Sequence, residues 1–226
     1  MTFNLGETDV PGILREFAGG SRVLLLVRHA ERPHIDNEDR TFGGALPLTP
    51  AGERMSRDFG AMLREAADSG VQFRASPLLR TVLTARFVAE GMGLPSAEIP
   101  PDEKIGNACA FVEDPLKIWE LFRDHGFFRK MGVYLETGEQ YGFVPLAEAT
   151  DRFEEYVLSL FTGRFGIFTT HDVYIAAYAK GRGMLPKVEV ENWPRFMDSA
   201  AIVLRPDGTK GYAFVRAGLT DGICGV

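Results

Sequence analysis

Three places in the chain put reactive side chains after a stretch patterned as a strand. Val23 to Val27 leads into Arg28, His29 and Arg32, Val71 to Ala75 leads through Ser76-Pro77 to Arg80, and Phe165 to Thr170 leads into His171-Asp172. Guanidinium groups are planar forks that match phosphate oxygens and stay charged at any working pH. An imidazole beside a bound phosphate can act as a nucleophile. Together these residues supply three arginines, two histidines and a carboxylic acid, a set suited to a phosphoryl group. Each group also has a plainer reading. Arg28 and Arg32 could pair Glu31 or Asp36 at a solvated strand end, Arg80 could be an exposed helix arginine, and Asp172 could be a helix N-cap.

The elements that must position these groups follow from the pattern. A short apolar run bounded by glycine and then by charge, such as Val23 to Val27, reads as a strand buried on both faces. Phe165 to Thr170 reads the same way, and Val71 to Ala75 alternates as a strand. Helices are expected over Val10 to Ala18, with Asp9 as N-cap, and from Pro50 with Thr49 as N-cap and Glu53 near the capping-box position. In the second of these, Met55, Phe59, Met62 and Leu63 form the core face. Further helices are expected over Leu78 to about Glu90, stopped by Gly91 and Gly93, and over Val173 to Lys180. Ala97 to Ile99 reads as a short strand, and Ala200 to Leu204 with Tyr212 to Val215 as a hairpin. Ligands of open α/β sheets bind just past the carboxyl ends of strands, where Arg28-His29 and His171-Asp172 fall. Arg80 falls in the first turn of a helix, where the positive end of the dipole also suits an anion.

Residues 107 to 163 read as a partly helical insertion or cap over the sheet. Pro115 to Lys130 is expected as one helix, Gly132 to Phe143 as a loop and Leu146 to Phe161 as a second helix. The polar loop Pro33 to Pro47 starts beside the proposed site and is long enough to form part of its rim. His34, Arg40, Arg123, His125, Arg129 and Lys130 could line that rim, or be ordinary surface. With 226 residues, 45% apolar and 25% charged, the composition suits one α/β domain over 1–226 carrying this insertion. The formal net charge of −6 argues against a nucleic-acid partner. Cys109 and Cys224 form neither a disulfide framework nor a metal knuckle. Met1 to Gly20 lacks the apolar stretch of a signal peptide, and no run approaches a membrane span, so a cytoplasmic location is expected.

Four ordered segments, Leu-Val-Arg-His-Ala-Glu-Arg, Leu-Thr-Pro-Ala-Gly, Ser-Pro-Leu-Leu-Arg-Thr-Val-Leu-Thr-Ala and Thr-His-Asp, resemble the motifs of the histidine phosphatase (phosphoglycerate mutase-like) superfamily. The resemblance covers 22–100 and 164–216 well and the 107–163 insertion poorly. It implies a three-layer α/β/α sandwich with a mostly parallel central sheet. It also implies a metal-independent phosphatase that needs no cofactor and works through a phosphohistidine on a small phosphorylated metabolite. By position, His29 would be the nucleophile and Arg28, Arg80 and His171 would bind the phosphoryl oxygens. Arg32 matches a second arginine of the acid-phosphatase branch. Asp172 matches that branch's proton donor, and Glu103 matches the donor of the mutase branch. Asp172 is favoured because Arg32 and His171-Asp172 point to the same branch.

The sequence departs from the family at Ala30, where most members have glycine, and in being shorter than acid-phosphatase-branch members. Other readings of the same residues are a phosphoglycerate-mutase-like phosphotransferase and a non-catalytic phosphate-binding protein. A metallohydrolase with His29, His34, His171 and Asp172 as ligands is opposed by the arginines, which would crowd a metal cation. An oligomer is possible but not indicated.

Overall fold

The structure, a computed structural model, describes residues 1–36, 38–123 and 126–219. Cys224 lies outside them, and Cys109 is a buried free thiol. Six strands form one mixed sheet in the order β1-β6-β5-β2-β4-β3. They are β1 (Thr2–Asp9), β2 (Arg22–Arg28), β3 (Gln72–Ala75), β4 (Phe165–Thr170), β5 (Ser199–Leu204) and β6 (Lys210–Arg216). β2 runs parallel to β4, β4 to β3 and β1 to β6, while β5 is antiparallel to both its neighbours.

β2 is the centre of the molecule because both its faces are covered. Leu24 and Leu26 enter one apolar cluster; Val23, Leu25 and Val27 enter the other. All five are at most 1% exposed, and each such side chain contributes about 1.5–3 kcal/mol on burial. Helices α1 (Val10–Ala18), α2 (Pro50–Met62) and α3 (Leu79–Met92) cover the second cluster. The first is covered by α6 (Leu146–Leu160) and α7 (Asp172–Gly181), joined by α4 (Pro115–Arg123) and α5 (Phe127–Thr137). This is the three-layer arrangement expected from the motifs. The 107–163 stretch divides in two: α6 packs on the sheet layer, whereas α4 contributes side chains to a cleft at the sheet edge.

Local chemistry explains the boundaries. Asp9 Oδ1 accepts from the Gly12 N–H at 2.8 Å, and Val10, Ile13 and Phe17 give α1 its buried stripe. Thr49 Oγ1 accepts from the Gly52 N–H at 3.0 Å, starting α2. Glu53 does not complete a capping box, because the Thr49 N–H is taken by the Glu31 carbonyl at 3.0 Å and Glu53 faces Arg57 instead. α2 buries Gly52, Ser56, Phe59 and Gly60, with Leu63 just beyond; Met62, expected in the core, is exposed. Small residues face inward because α2 and α3 cross closely. A Cβ on Gly60 would lie 2.1 Å from the Val88 carbonyl, and one on Gly91 would lie 2.1 Å from that of Arg57. Gly91 therefore sits within α3 as a contact point and does not stop it; Gly93, at φ +88°, does.

Three further expectations are corrected. β1 was not foreseen: it is an edge strand with mixed polar sequence and little burial. Ala97 to Ile99 forms no strand; the chain there makes only an isolated bridge between Pro101 and Ala75. Pro115 to Lys130 is two helices, since Gly126 adopts φ +100° at the start of α5. The expected loop is helical as far as Thr137. Among the described residues, no helix is long and apolar enough to cross a membrane.

Candidate active site

The carboxyl ends of β2 and β4 lie side by side, with Arg28 paired to Thr170 in the ladder. His29 follows one and His171 the other, and their ring centroids are 5.5 Å apart. β3 lies beyond β4, so the turn Ser76-Pro77 delivers Arg80 on the first turn of α3 to the same edge. Because β5 is antiparallel to β2, it begins where β2 ends. The Arg28 N–H donates to the Asp198 carbonyl at 2.9 Å, and the loop before β5 brings Pro194 and Phe196 against Arg28. The sequence reading did not include this fourth segment; no charged motif marks it.

The turn after β2 is fixed on every side. His29 Nδ1 lies 2.8 Å from the Ala30 carbonyl oxygen. A carbonyl only accepts, so Nδ1 carries the proton and Nε2 keeps its lone pair. The Ala30 N–H donates to Thr84 Oγ1 at 3.0 Å, and the Ala30 methyl packs in the core, so the residue in place of glycine is accommodated. Glu31 accepts from the Thr49 hydroxyl at 2.7 Å, and a Cβ on Gly52 would lie 2.1 Å from the Glu31 carbonyl. The Leu-Thr-Pro-Ala-Gly segment thus buttresses the histidine turn.

Arg80 is 4% exposed, which rules out the surface reading. Its Nη1 donates to the carbonyls of Phe42 and Gly43, each at 2.9 Å, and its Nη2 donates to His171 Nδ1 at 3.3 Å. His171 Nε2 then donates to Ser76 Oγ at 2.9 Å. Burial, reinforced by Arg80, holds both histidines well below the usual imidazole range, with Arg28 adding to the effect. Both rings are therefore neutral at pH 7. Burial and the neighbouring Arg32 pull Arg80 down to about 10, so it remains cationic.

Arg28 departs from expectation. Its Nη1 donates to the Pro194 carbonyl at 2.6 Å, its Nη2 pairs with Asp172 Oδ2 at 3.2 Å, and its plane lies 4.4 Å from the Phe196 ring centroid. It does not line the cleft, because these partners hold it behind the site. Asp172 does line it. Oδ2 also accepts from Trp193 Nε1 at 3.0 Å, and Oδ1 accepts from the Val173 N–H at 3.0 Å. Arg32 lines the cleft as well, with Nη1 on the Pro33 carbonyl. The Nε–H groups of Arg28, Arg32 and Arg80 are buried and meet no acceptor among the described residues.

Glu103 is exposed on a 3₁₀ turn and lies outside the cleft. His34 and Arg123 line the cleft and Arg40 stacks on Trp119; Arg129 and Lys130 do not line it, and His125 is outside the described residues. Among the described residues, no group of three or more His, Cys, Asp or Glu is arranged to hold a metal ion.

Residues 24–104, which carry the first three motifs, match the model of the histidine phosphatase superfamily, branch 1. The likeness to that family in sequence is carried by this segment. The matched branch is not the acid-phosphatase branch to which Arg32 and His171-Asp172 pointed. No curated protein matches the chain in sequence. Among solved structures, the fold is similar to Entamoeba histolytica phosphoserine phosphatase in complex with 3-phosphoglyceric acid, with TM-score 0.58 and 17% identity. That similarity covers 87% of this chain and 98% of the other. It is also similar to a mycobacterial glucosyl-3-phosphoglycerate phosphatase, with TM-score 0.53 and 17% identity over 86% and 97% of the two chains. A structure described as mycobacterial hydrolase 2 shares the fold too, with TM-score 0.52 and 16% identity over 89% and 94%.

Proposed function

We propose that the cleft hydrolyses phosphomonoesters of small molecules through a phosphohistidine on His29, without a metal. The observation that carries this reading is the bond between His29 Nδ1 and the Ala30 carbonyl, which leaves a neutral Nε2 lone pair beside two cleft-lining guanidiniums. His29 Nε2 attacks phosphorus; the P–N bond forms as the bond to the ester oxygen breaks. Charge builds on the equatorial oxygens, and Arg80 and Arg32 neutralise it, which is where most phosphoryl-transfer catalysis lies. A phosphoryl oxygen replaces His171 Nδ1 as the partner of Arg80 Nη2. His171 then shifts to its Nδ1–H tautomer, losing the Nε2 proton to water and taking one from water at Nδ1; Ser76, which can donate as well as accept, donates to Nε2, and Nδ1–H meets the phosphoryl group.

The departing alkoxide takes a proton from Asp172. Oδ2 is occupied by Arg28 and Trp193, so Oδ1 carries and delivers that proton. Arg28 is thereby a positioning residue for the acid. In the second step water attacks phosphorus, gives its proton to Asp172, and the P–N bond breaks to release inorganic phosphate. Asp172 is preferred to Glu103 because Asp172 lines the cleft and Glu103 does not. The test is hydrolysis of a generic aryl phosphate by wild type and His29→Ala with EDTA present. Turnover that vanishes in the variant is expected. Turnover that survives it refutes the mechanism, and loss of wild-type turnover in EDTA refutes metal independence.

A further inference from the structure

The cleft has a second sector that the phosphoryl chemistry does not use. Its volume is about 200 Å³. Beyond the cationic end, Val112, Ile118, Trp119, Phe122, Phe127 and Val173 form an apolar wall. The wall is built of packed rings. Phe122 packs on Phe127 at 4.8 Å between centroids, and Phe127 packs on Trp193 at 5.5 Å. The guanidinium carbons of Arg40 and Arg123 lie 4.8 and 5.2 Å from the Trp119 ring centroid. Trp119 is 7% exposed, and its Nε1–H is buried without an acceptor among the described residues.

A site for a sugar or polyol ester needs convergent hydrogen-bond groups around the alcohol, because hydroxyls left unpaired in a pocket are costly. The Trp119 N–H is buried, so this wall offers carbon alone, and the cleft's polar side chains His34, Asp36, Asn107 and Arg123 lie outside it. Asp39, on the loop side, is spent on Thr41 and Gly43. An apolar cavity of about 150 Å³ suffices for benzene, so the volume here accommodates a phosphoryl group together with roughly one ring.

Resting on the phosphatase reading, we propose that the substrates are phosphomonoesters whose alcohol carries an apolar, ring-sized group seated against Trp119, Phe122 and Phe127.

The test compares kcat/KM for 2-phenylethyl phosphate and glycerol 1-phosphate. Both leave as primary alkoxides, so the chemical step is matched and the ratio reports the wall. Wild type is expected to prefer the phenyl ester by on the order of 10²-fold, as apolar pockets discriminate in proportion to the groups they cover. Phe122→Ala, at a half-buried position, is expected to lower that ratio about tenfold, as is Trp119→Ala where it folds. A wild-type ratio near one, or a ratio that Phe122→Ala leaves unmoved, overturns the proposal while leaving the phosphatase reading intact. If neither ester is hydrolysed, it is the phosphatase reading that falls. Calorimetric Kd values for the two esters then decide the apolar preference, equal values refuting it.

Discussion

Arg80→Lys keeps the charge at the centre of the site and removes the fork. The guanidinium makes three contacts that a single ammonium cannot reproduce together: two carbonyls of the 39–43 loop and His171 Nδ1. The loop needs holding, since Phe42 sits at φ +53°, a left-handed conformation that a bulky side chain rarely adopts. At least one buried carbonyl loses a charged donor in the variant, at a cost of about 1.5–3 kcal/mol. In a chain of this length each kcal/mol is worth about 2–4 °C, so Tm should fall by about 3–12 °C. The ammonium also cannot hold both loop carbonyls and reach an equatorial oxygen at once, as Nη1 and Nη2 of the planar fork do, and losing such a donor lowers kcat by about 10²–10³. Thermal melts and aryl phosphate kinetics on the same preparation check both numbers. A variant with wild-type Tm and kcat within about threefold of wild type would show that charge alone is what Arg80 supplies.

Because burial and Arg80 lower both histidines in the folded state, the unfolded chain binds more protons once pH drops below about 6.5. Stability should therefore be fully present above that pH and decline as pH falls through it, read as Tm at pH 8 against pH 5.5. The acid limb of kcat/KM should also lie below 6.5, and a limb at or above that value refutes neutral His29 in the free enzyme. Asp172→Asn should cost about 10²–10⁴ in the rate of alkoxide release from an alkyl phosphate and far less in the pre-steady-state release of nitrophenolate from nitrophenyl phosphate, whose leaving group needs no acid. The same split seen instead in Glu103→Gln would move the donor to Glu103. Gly91→Ala should lower stability by about 1–3 kcal/mol by forcing α2 from α3, and an unchanged melt would contradict that close crossing.

What could be read in the sequence was whatever is written in one contiguous stretch. β2 and β4 announce themselves because each is covered on both faces and so carries an unbroken apolar run. The reactive residues at their ends are legible for the same reason: burial stops and charge begins. β1 is illegible because an edge strand paired to a single neighbour needs no such run. The break between α4 and α5 turns on Gly126, whereas Gly132 a few residues on is tolerated inside a helix; composition does not distinguish the two. Ser76 and Thr84, small hydroxyls without distinguishing neighbours, support His171 and Ala30 only once α3 docks. The place of Arg28 depends on the Trp193–Asp198 segment, which reaches it only because β5 runs antiparallel.

The ladder partners of β2 also set a schedule. The strand that carries His29 is synthesised early, yet both strands that flank it, β4 and β5, come from the second half of the chain. His171 follows His29 by 142 residues, a delay of about 7–30 s at ordinary rates of synthesis. β1 waits longer still, for β6. A growing chain therefore holds β2 unpaired, exposing the most apolar segment of the protein, until β4 emerges. Folding must be slow to nucleate and strongly cooperative at the end. Fragments that stop before β4 should aggregate rather than bind phosphate, and the residues of the cleft can come together only after nearly the whole sequence has been made.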